Sequence, residues 1–402
     1  MKAGWQKKTL SEVCQIRPPK SEARERVAPD SLVSFVPMED LGIDQKYLNV
    51  TQIRPLSSVA GSYTYFAEGD VLLAKITPCF ENGKLGIATG LSNGLGFGSS
   101  EFIVFRPSPS LGKEYLYYYL SRADFRSEGA ARMGGAVGQQ RVPKEFIESY
   151  PILLPPLPEQ QRIVGILDKA FEGIATARGN AEKNLQNARA LFESHLKSVF
   201  TRRGEGWEDT TIGQNIRFID YRGKTPEKTE SGLRLITAKN VKMGYLQETP
   251  MEFVAPDSYD GWMTRGIPRL GDVLFTTEAP LANVAQLDTD EKVVFAQRII
   301  IMQPETSKLD NTFLKYLLLS QPVQQRINAK GTGATVKGIK ASLLKTVEIS
   351  FPESVTEQRK IVAKLDALRE ETQRLATLYQ RKLAALDALK KSLLHQAFSG
   401  KL

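Results

Sequence analysis

From about Thr356 to Phe398 the chain repeats a stripe alternately four and three residues apart: Ile361, Leu365, Leu368, Thr372, Leu375, Tyr379, Lys382, Leu386, Leu389 and Leu393. That is the a/d spacing of helices packed along a seam, and it predicts a helix about 65 Å long at 1.5 Å per residue. The stripe also occurs 198 positions earlier as Ile163, Leu167, Ala170, Ile174, Ala177, Ala181, Asn184, Ala188, Leu191 and His195. A first helix is therefore expected from Pro158 to about Thr201, roughly 66 Å long. Proline suits a helix start, where no donor is needed, and Thr356 before Glu357 offers the other helix a hydroxyl cap with an acidic first turn. One stripe is mostly bulky and the other mostly small, so the helices are expected to pack on each other, antiparallel. In-register pairing sets Asn184 against Thr372, Ala177 against Tyr379 and Ala181 against Leu375, with the polar pair fixing the register. Gly165, Gly173 and Gly179 each weaken the first helix by roughly 1 kcal/mol relative to alanine.

Outside these helices the period changes. Phe102-Ile103-Val104-Phe105 and Arg298-Ile299-Ile300-Ile301-Met302, closed by Pro107 and Pro304, read as buried strands. Tyr115–Leu120 and Phe313–Leu318 each predict a short amphipathic helix. Gly69-Asp70-Val71-Leu72 returns as Gly271-Asp272-Val273-Leu274, and Trp5 with Leu10-Ser11-Glu12-Val13 resembles Trp207 with Thr211-Ile212-Gly213. Repeats of this size are whole domains, not solenoid units. The expected fold class is mixed α/β, meaning α+β globular domains in two pseudo-repeated copies separated by an antiparallel two-helix coiled coil. The boundaries are a first domain at 1–157, a helical spacer at 158–204, a second domain at 205–352 and a C-terminal helical spacer at 353–402. Prolines 151, 155, 156 and 158 end the first domain, because this density forbids helix and holds the backbone extended. The second copy has only Pro352 before Glu353-Ser354-Val355, so its junction lacks that stiffness.

Composition then narrows the chemistry. With 41% apolar and 25% charged residues in 402, the chain has material for two or three cores and is not generally disordered. Fifty-four Lys and Arg against 45 Asp and Glu give a formal charge of +9, which favours a polyanionic partner, nucleic acid first. Two cysteines, Cys14 and Cys79, make no disulfide framework, and His195 and His395 are too few for a structural zinc site or a histidine-dependent centre. The expected compartment is reducing cytoplasm: residues 1–8 lack the apolar core of a signal peptide, and no run reaches the roughly 18 apolar residues of a membrane span. There is no phosphate-binding Gly-Lys-Ser/Thr loop and no Asn-Pro-Pro-Tyr or Asp-Pro-Pro-Tyr methylation tetrapeptide. Pro256-Asp257 with Asp290-Glu291-Lys292 fits a metal-nuclease pattern too permissive to carry weight. Gly134-Gly135-Ala136-Val137-Gly138 lacks the strand-to-helix setting of a dinucleotide site. The chain is expected to be a binder, with no catalytic, cofactor or metal residue of its own.

Where the copies differ, the differences are polar and lie in loops. Glu39 and Asp40 stand where the second copy has Thr237, Lys239 and Asn240. Lys75 and Thr77 face Thr276 and Thr277, and Gln139, Gln140 and Arg141 face Thr335 and Lys337. Carboxylates accept from cytosine, lysine donates to guanine and asparagine pairs with adenine, so these are candidate base readers. Arg132, Lys224, Lys330 and Lys340 are assigned to phosphates.

Three stretches then resemble one family, the specificity subunit of type I restriction-modification enzymes. They are Pro155-Pro156-Leu157-Pro158-Glu159-Gln160-Gln161-Arg162-Ile163-Val164 with its repeat at Glu357-Gln358-Arg359-Lys360-Ile361-Val362, the ending Leu393-Leu394-His395-Gln396-Ala397-Phe398-Ser399-Gly400-Lys401-Leu402, and the Gly-Asp-Val-Leu pair. The resemblance covers nearly the whole chain. It implies two target recognition domains, each gripping one half of a split, asymmetric site in double-stranded DNA. It also implies helices that serve as ruler and as dock for two modification subunits, with restriction (translocase) subunits joining them. S-adenosylmethionine, ATP and magnesium would then belong to the partner subunits. A coiled-coil scaffold that binds only proteins, or a self-contained DNA-modifying enzyme, are the other classes; the first gives no reason for divergent basic loops, and the second lacks its motifs.

Overall fold

The computed structural model describes residues 4–223, 225–296, 298–333 and 335–402. Lys224, one of the expected phosphate contacts, lies outside the described residues, as do Gln297 and Ala334. The chain forms two units, Met1–Ala181 with Arg381–Leu402, and Glu182–Gln380.

The Gly-Asp-Val-Leu repeat marks the same turn in each. Gly69 and Gly271 hold φ of 87° and 89°, left-handed backbone that favours glycine. The aspartate that follows accepts the amide of the residue three before it, Ala67 for Asp70 and Arg269 for Asp272, both at 2.8 Å. A central strand leaves that turn. In the first unit it belongs to an antiparallel sheet ordered Cys14–Ile16, Phe102–Pro107, Val71–Ala74, Leu85–Ile87. The second unit repeats it as Ile216–Asp220, Ile299–Pro304, Val273–Thr276, Val284–Gln286. A second sheet pairs Leu32–Val36 with Leu95–Gly98 in parallel, and its counterpart pairs Leu233–Ile236 with Val294–Phe295. The two buried strands read from the apolar runs are thus in place.

The short helices are more deeply placed than an amphipathic reading allows. Lys113–Leu120 buries every residue from Tyr115 to Leu120, and Asn311–Leu319 buries Phe313 to Leu318. Tyrosine tolerates this because its hydroxyl finds a partner: Tyr115 donates to the Leu153 carbonyl at 2.8 Å, and Tyr118 and Tyr316 donate to Asp168 and Asp366 on the long helices.

The long helices run Leu157–Thr201 and Val355–Phe398. Each unit takes half of each. In the first unit Ile163 and Leu167 share a core with Leu394, Ala397 and Phe398; in the second, Leu196 and Phe200 share one with Leu365. The junctions between globular part and helix are locked by glutamine. Buried Gln160 accepts the Gly112 amide (2.8 Å) and donates to the carbonyls of Ser110 (2.9 Å) and Pro155 (2.8 Å). Gln358 repeats this with the Asp310 amide (2.8 Å) and the carbonyls of Lys308 and Pro352 (both 2.7 Å). The second junction therefore needs no double proline. The helix there starts at Val355, with Ser354 rather than Thr356 ahead of it; the Ser354 hydroxyl accepts the Glu357 amide at 3.4 Å.

The helices pack antiparallel within each unit, in a register different from the expected one. Arg178 pairs with Asp387 at 2.5 Å, whereas the expected pairing set position 178 opposite 378, nine residues away. In the second unit Thr372 and Ala376 share a cavity of about 440 Å³ with Ala188 and Phe192. Asn184 is exposed, and the Thr372 hydroxyl turns back to the carbonyls of Leu368 (2.9 Å) and Arg369 (3.0 Å) of its own helix. Asn184 and Thr372 therefore do not pair to fix the register. The seam itself is right at Ile163, Leu167, Ala181, Leu365 and Thr372, which are buried, and at Ala177, Leu368, Leu375, Tyr379 and Leu386, which are half-buried. Beyond Ala181 the expected Ala188 is buried, while the rest slides by one position from exposed Asn184, Leu191 and His195 onto Leu185, Phe192 and Leu196 and runs on to Phe200, all at least half-buried. An extra spacing of four lets a straight 3.6-residue helix keep its face inward. The weak-helix glycines are not there for close packing, because a Cβ at Gly165, Gly173 or Gly179 meets nothing within 4 Å.

One chemical consequence concerns the cysteines. Burial pushes the Cys14 thiol up to about 12, while Cys79 is partly exposed. Because the thiolate is the nucleophile, the native chain is expected to take up one equivalent of iodoacetamide at pH 8, at Cys79, and two after unfolding. Peptide mapping that finds Cys14 alkylated at a comparable rate in the native chain contradicts this.

Candidate nucleic-acid interface

In the first unit the turn of residues 99–101 ties two strand ends together. Ser99 donates its amide to the Val36 carbonyl (3.3 Å), and Lys75 donates its amide to the Glu101 carbonyl (2.9 Å). The glycine loop docks beside them: Val142 bonds to Lys75 (3.0 Å) and Thr77 to Gln140 (3.0 Å). Gly134 and Arg141 exchange backbone bonds of 3.1 and 2.8 Å, so 134–141 is a hairpin. Gly135 and Gly138, at φ 122° and 81°, supply its reversal. At the tip Val137 is 99% exposed, with no packing inside the unit to account for it.

The second unit has the same frame. Ala296 bonds to Ile236 (3.4 Å), Thr277 to the Arg298 carbonyl (2.8 Å) and Ile339 to Thr277 (2.9 Å), while Thr332 and Gly338 exchange bonds of 2.8 and 2.9 Å. Strands 102–107 and 299–304 are equivalent at an offset of 197, which makes Glu101 the counterpart of Arg298. The charge at this shared corner is therefore inverted.

Its surroundings are inverted too. Glu101 accepts Arg141 Nε and Nη2, both at 2.9 Å, with Lys75 Nζ 3.8 Å away. The Arg141 guanidinium, more than Lys75, holds the Glu101 carboxyl below the usual carboxylate range. Burial lowers the Lys75 ammonium, with Glu101 opposing it. Arg298 Nε instead lies 3.0 Å from the Glu278 carboxylate as an ion pair. A cleft of about 450 Å³ opens beside it, lined by Arg222, Glu278, Thr332, Val336 and Lys340 among others. Arg222 is fully engaged with Asp220 at 2.6–3.0 Å. Burial alone would raise Asp220, but that guanidinium outweighs it and holds the carboxyl low.

The frame gathers Lys75, Thr77, Gln139, Gln140 and Arg141 on one face, with exposed Glu39 in the neighbouring turn Met38–Asp40. Asp40 accepts the Thr51 hydroxyl at 2.7 Å. Arg132 is exposed, although it donates to the Glu128 carbonyl (2.8 Å) and lies 5.2 Å over Phe146. In the second unit Thr335, Lys337 and Lys340 are exposed on or beside the hairpin, and Lys239 is exposed 3.8 Å from Glu252.

Within the first unit's face Lys75 donates its ammonium to the Ser100 carbonyl (2.9 Å), Thr77 its hydroxyl to Glu81 (3.0 Å) and Arg141 its guanidinium to Glu101, and five further expected readers or phosphate contacts are turned to internal work. Thr276 is 0% exposed; its hydroxyl donates to the Pro280 carbonyl (2.6 Å) and accepts the Asn283 amide (2.9 Å). Thr277, 3% exposed, directs its hydroxyl as well as its amide to the Arg298 carbonyl. Asn240, 1% exposed, accepts from the Thr237 amide and hydroxyl (both 3.0 Å) and donates to the carbonyls of Gln247 (3.1 Å) and Pro250 (3.0 Å). Thr237 thus spends its hydroxyl inward as well. Lys330 caps the end of a short helix through the Thr346 hydroxyl (2.8 Å) and carbonyl (3.2 Å). Buried polar groups must be paired, and in these residues polarity reflected that need rather than exposure.

The residues missed are Glu101, Arg222, Glu278 and Arg298. The apolar run places Arg298 only as the first residue of a strand. The signal was present in the repeat, which sets glutamate and arginine at one equivalent position just before each buried strand. Among the described residues no group of three His, Cys, Asp or Glu is placed to hold a metal ion, and no helix is long and apolar enough to cross a membrane.

The profile of the family described as the type I restriction modification DNA specificity domain matches residues 2–185 and 266–380. The specificity subunit of the type I restriction enzyme EcoEI of Escherichia coli is 42% identical over 167 residues, 41% of this chain and 27% of that protein. Its EcoAI counterpart, also from Escherichia coli, is 39% identical over 163 residues, 40% and 27% of the two chains. The aligned part thus spans about a quarter of those relatives. The MjaVIII specificity subunit of Methanocaldococcus jannaschii is 23% identical over 306 residues, 72% of this chain and 70% of that one. Two solved structures share the fold. A chain from work on complex assembly and conformational transition of the type I R-M system superposes with a TM-score of 0.78 at 22% identity, covering 100% of this chain and 99% of that one. The HsdS subunit from Thermoanaerobacter tengcongensis does so at 0.67 and 20% identity, covering 100% and 98%.

Proposed function

The chain belongs to the type I restriction modification DNA specificity family, and from that premise we propose that it is the sequence-reading, non-catalytic subunit of a type I restriction-modification complex. Each globular part, 1–157 and 205–352, reads one half of a bipartite, asymmetric DNA site. The helical parts, 158–204 and 353–402, set the spacing and dock two modification subunits, to which restriction subunits add. S-adenosylmethionine, ATP and magnesium act on those partners. One observation carries the reading: two faces share a backbone frame down to individual amide-carbonyl bonds, yet carry opposite charge at the equivalent corner, Glu101 and Arg298. Identical frames dock equivalently, and dissimilar tips select different bases.

Exchanging residues 1–157 for the corresponding segment of a relative tests this. In a host supplying the modification subunit, methylation mapping is expected to show one half-site changed and the other intact. Change in both halves rules out modular reading. The purified chain should also bind duplex DNA with an affinity that falls steeply with salt, the logarithmic slope being about −0.9 per phosphate neutralised. Binding indifferent to salt would point instead to a scaffold for proteins.

A further inference from the structure

We propose that Arg298 is a specificity-determining residue that reads a guanine in the half-site taken by the second unit, and that the first unit presents no equivalent reader. The proposal rests on the DNA-reading function above and assigns a base to one position of it.

The backbone comes first. Arg298 has φ 73°, left-handed backbone that residues other than glycine, asparagine and aspartate seldom occupy. Thr277 holds it there, giving both its amide (2.8 Å) and its hydroxyl (3.3 Å) to the Arg298 carbonyl. A residue kept in that conformation with a long cationic side chain is retained for the side chain.

The guanidinium is paired but not consumed. Glu278 lies 3.0 Å from Nε as an ion pair, and among the described residues no hydrogen bond engages the guanidinium of this half-exposed side chain. Nη1 and Nη2 therefore remain as two parallel donors. Guanine offers the matching pair of acceptors, O6 and N7, in the major groove. A phosphate needs charge alone and no fixed plane; exposed Lys337 and Lys340, which have no ion pair among the described residues, suit that part. The first unit spends its chemistry differently. Glu101 occupies the Arg298 position, and Arg141 directs Nε and Nη2 to it and Nη1 to the Gln139 carbonyl (3.0 Å), so no guanidinium edge is left over.

The test is methylation mapping in a host that expresses the full chain with its modification subunit. Wild type should return a bipartite motif with a required guanine in the half set by residues 205–352. Arg298→Ala is expected to leave the other half and the spacer unchanged and to relax that one position, discrimination there falling about 5- to 150-fold. Arg298→Lys, which loses the planar fork but can still donate to guanine, should relax the same position less than alanine does; thermal melting of both variants checks folding. An unchanged motif in Arg298→Ala overturns the assignment, and so does a uniform loss at all sites with a shallower salt slope, the mark of a phosphate contact. A lysine variant that relaxes the position more than alanine does overturns it as well. If wild type itself yields no bipartite motif, the DNA-reading function fails, not this residue.

Discussion

Phe398→Ala is expected to destabilise the first unit by about 3–5 kcal/mol, the range for truncating a buried aromatic side chain, while leaving the second nearly untouched. Phe398 comes from the end of the second long helix, yet its ring packs edge-on against Tyr115 (centroids 5.0 Å) and Tyr119 (5.1 Å) of the first unit's core. The Arg122 guanidinium lies 5.7 Å from its centroid. Edge-to-face pairs of this kind add to the area they bury. Phe200 holds the same place in the second unit, between Phe313 (5.4 Å) and Trp207 (6.2 Å). The paired substitutions therefore separate the units. Hydrogen exchange read by mass spectrometry should show Phe398→Ala loosening residues 113–120 and Phe200→Ala loosening 311–319. Equal loosening of both regions by either variant contradicts the division of cores.

Gln358→Ala should cost about 2–3 kcal/mol, since it strands the buried Pro352 carbonyl and the part-buried Asp310 amide and Lys308 carbonyl, each losing roughly 1 kcal/mol. Gln160→Ala should do the same to the other junction. The glutamate variant gives a sharper reading. Gln358→Glu still accepts from Asp310, but an ionised carboxylate faces two carbonyls with no donor to offer. Burial and those carbonyls raise its folded-state pKa, so the folded form binds the extra proton and this variant loses stability as pH rises through that pKa. Denaturant midpoints at pH 5 and pH 8 test the sign. A glutamate variant more stable at the higher pH, after subtraction of the wild-type trend, rules out the clamp.

Much of the fold was legible because the chain states it twice. The helix lengths follow from a long uninterrupted stripe, and the strands before Pro107 and Pro304 follow from apolar runs with hard stops. Register was not legible. A stripe records which face is buried, not which residue lies opposite, and Asn184 reads as a register device only while the seam is assumed to hold a strict seven-residue period. At the reading faces the sequence located the loops and misassigned several of the groups. Thr276 and Asn240 are polar because buried backbone needs partners, a requirement that composition does not distinguish from exposure. Arg298 was hidden by the opposite error, since an apolar strand beginning at Ile299 absorbed the charged residue that precedes it.

The shared core of the first unit also bears on the order in which the units close. Residues 1–181 leave the ribosome first, but Leu394, Ala397 and Phe398 complete the layer they need. The second unit, Glu182–Gln380, has every residue it requires some twenty positions sooner. Domains made early ordinarily close early; here the half translated first is sealed last. A ribosome that stalls near Gln380 leaves one finished half and one with its aromatic cluster around Tyr115 and Tyr119 uncovered. Such a product offers that apolar cluster to chaperones and proteases until Leu394, Ala397 and Phe398 cover it.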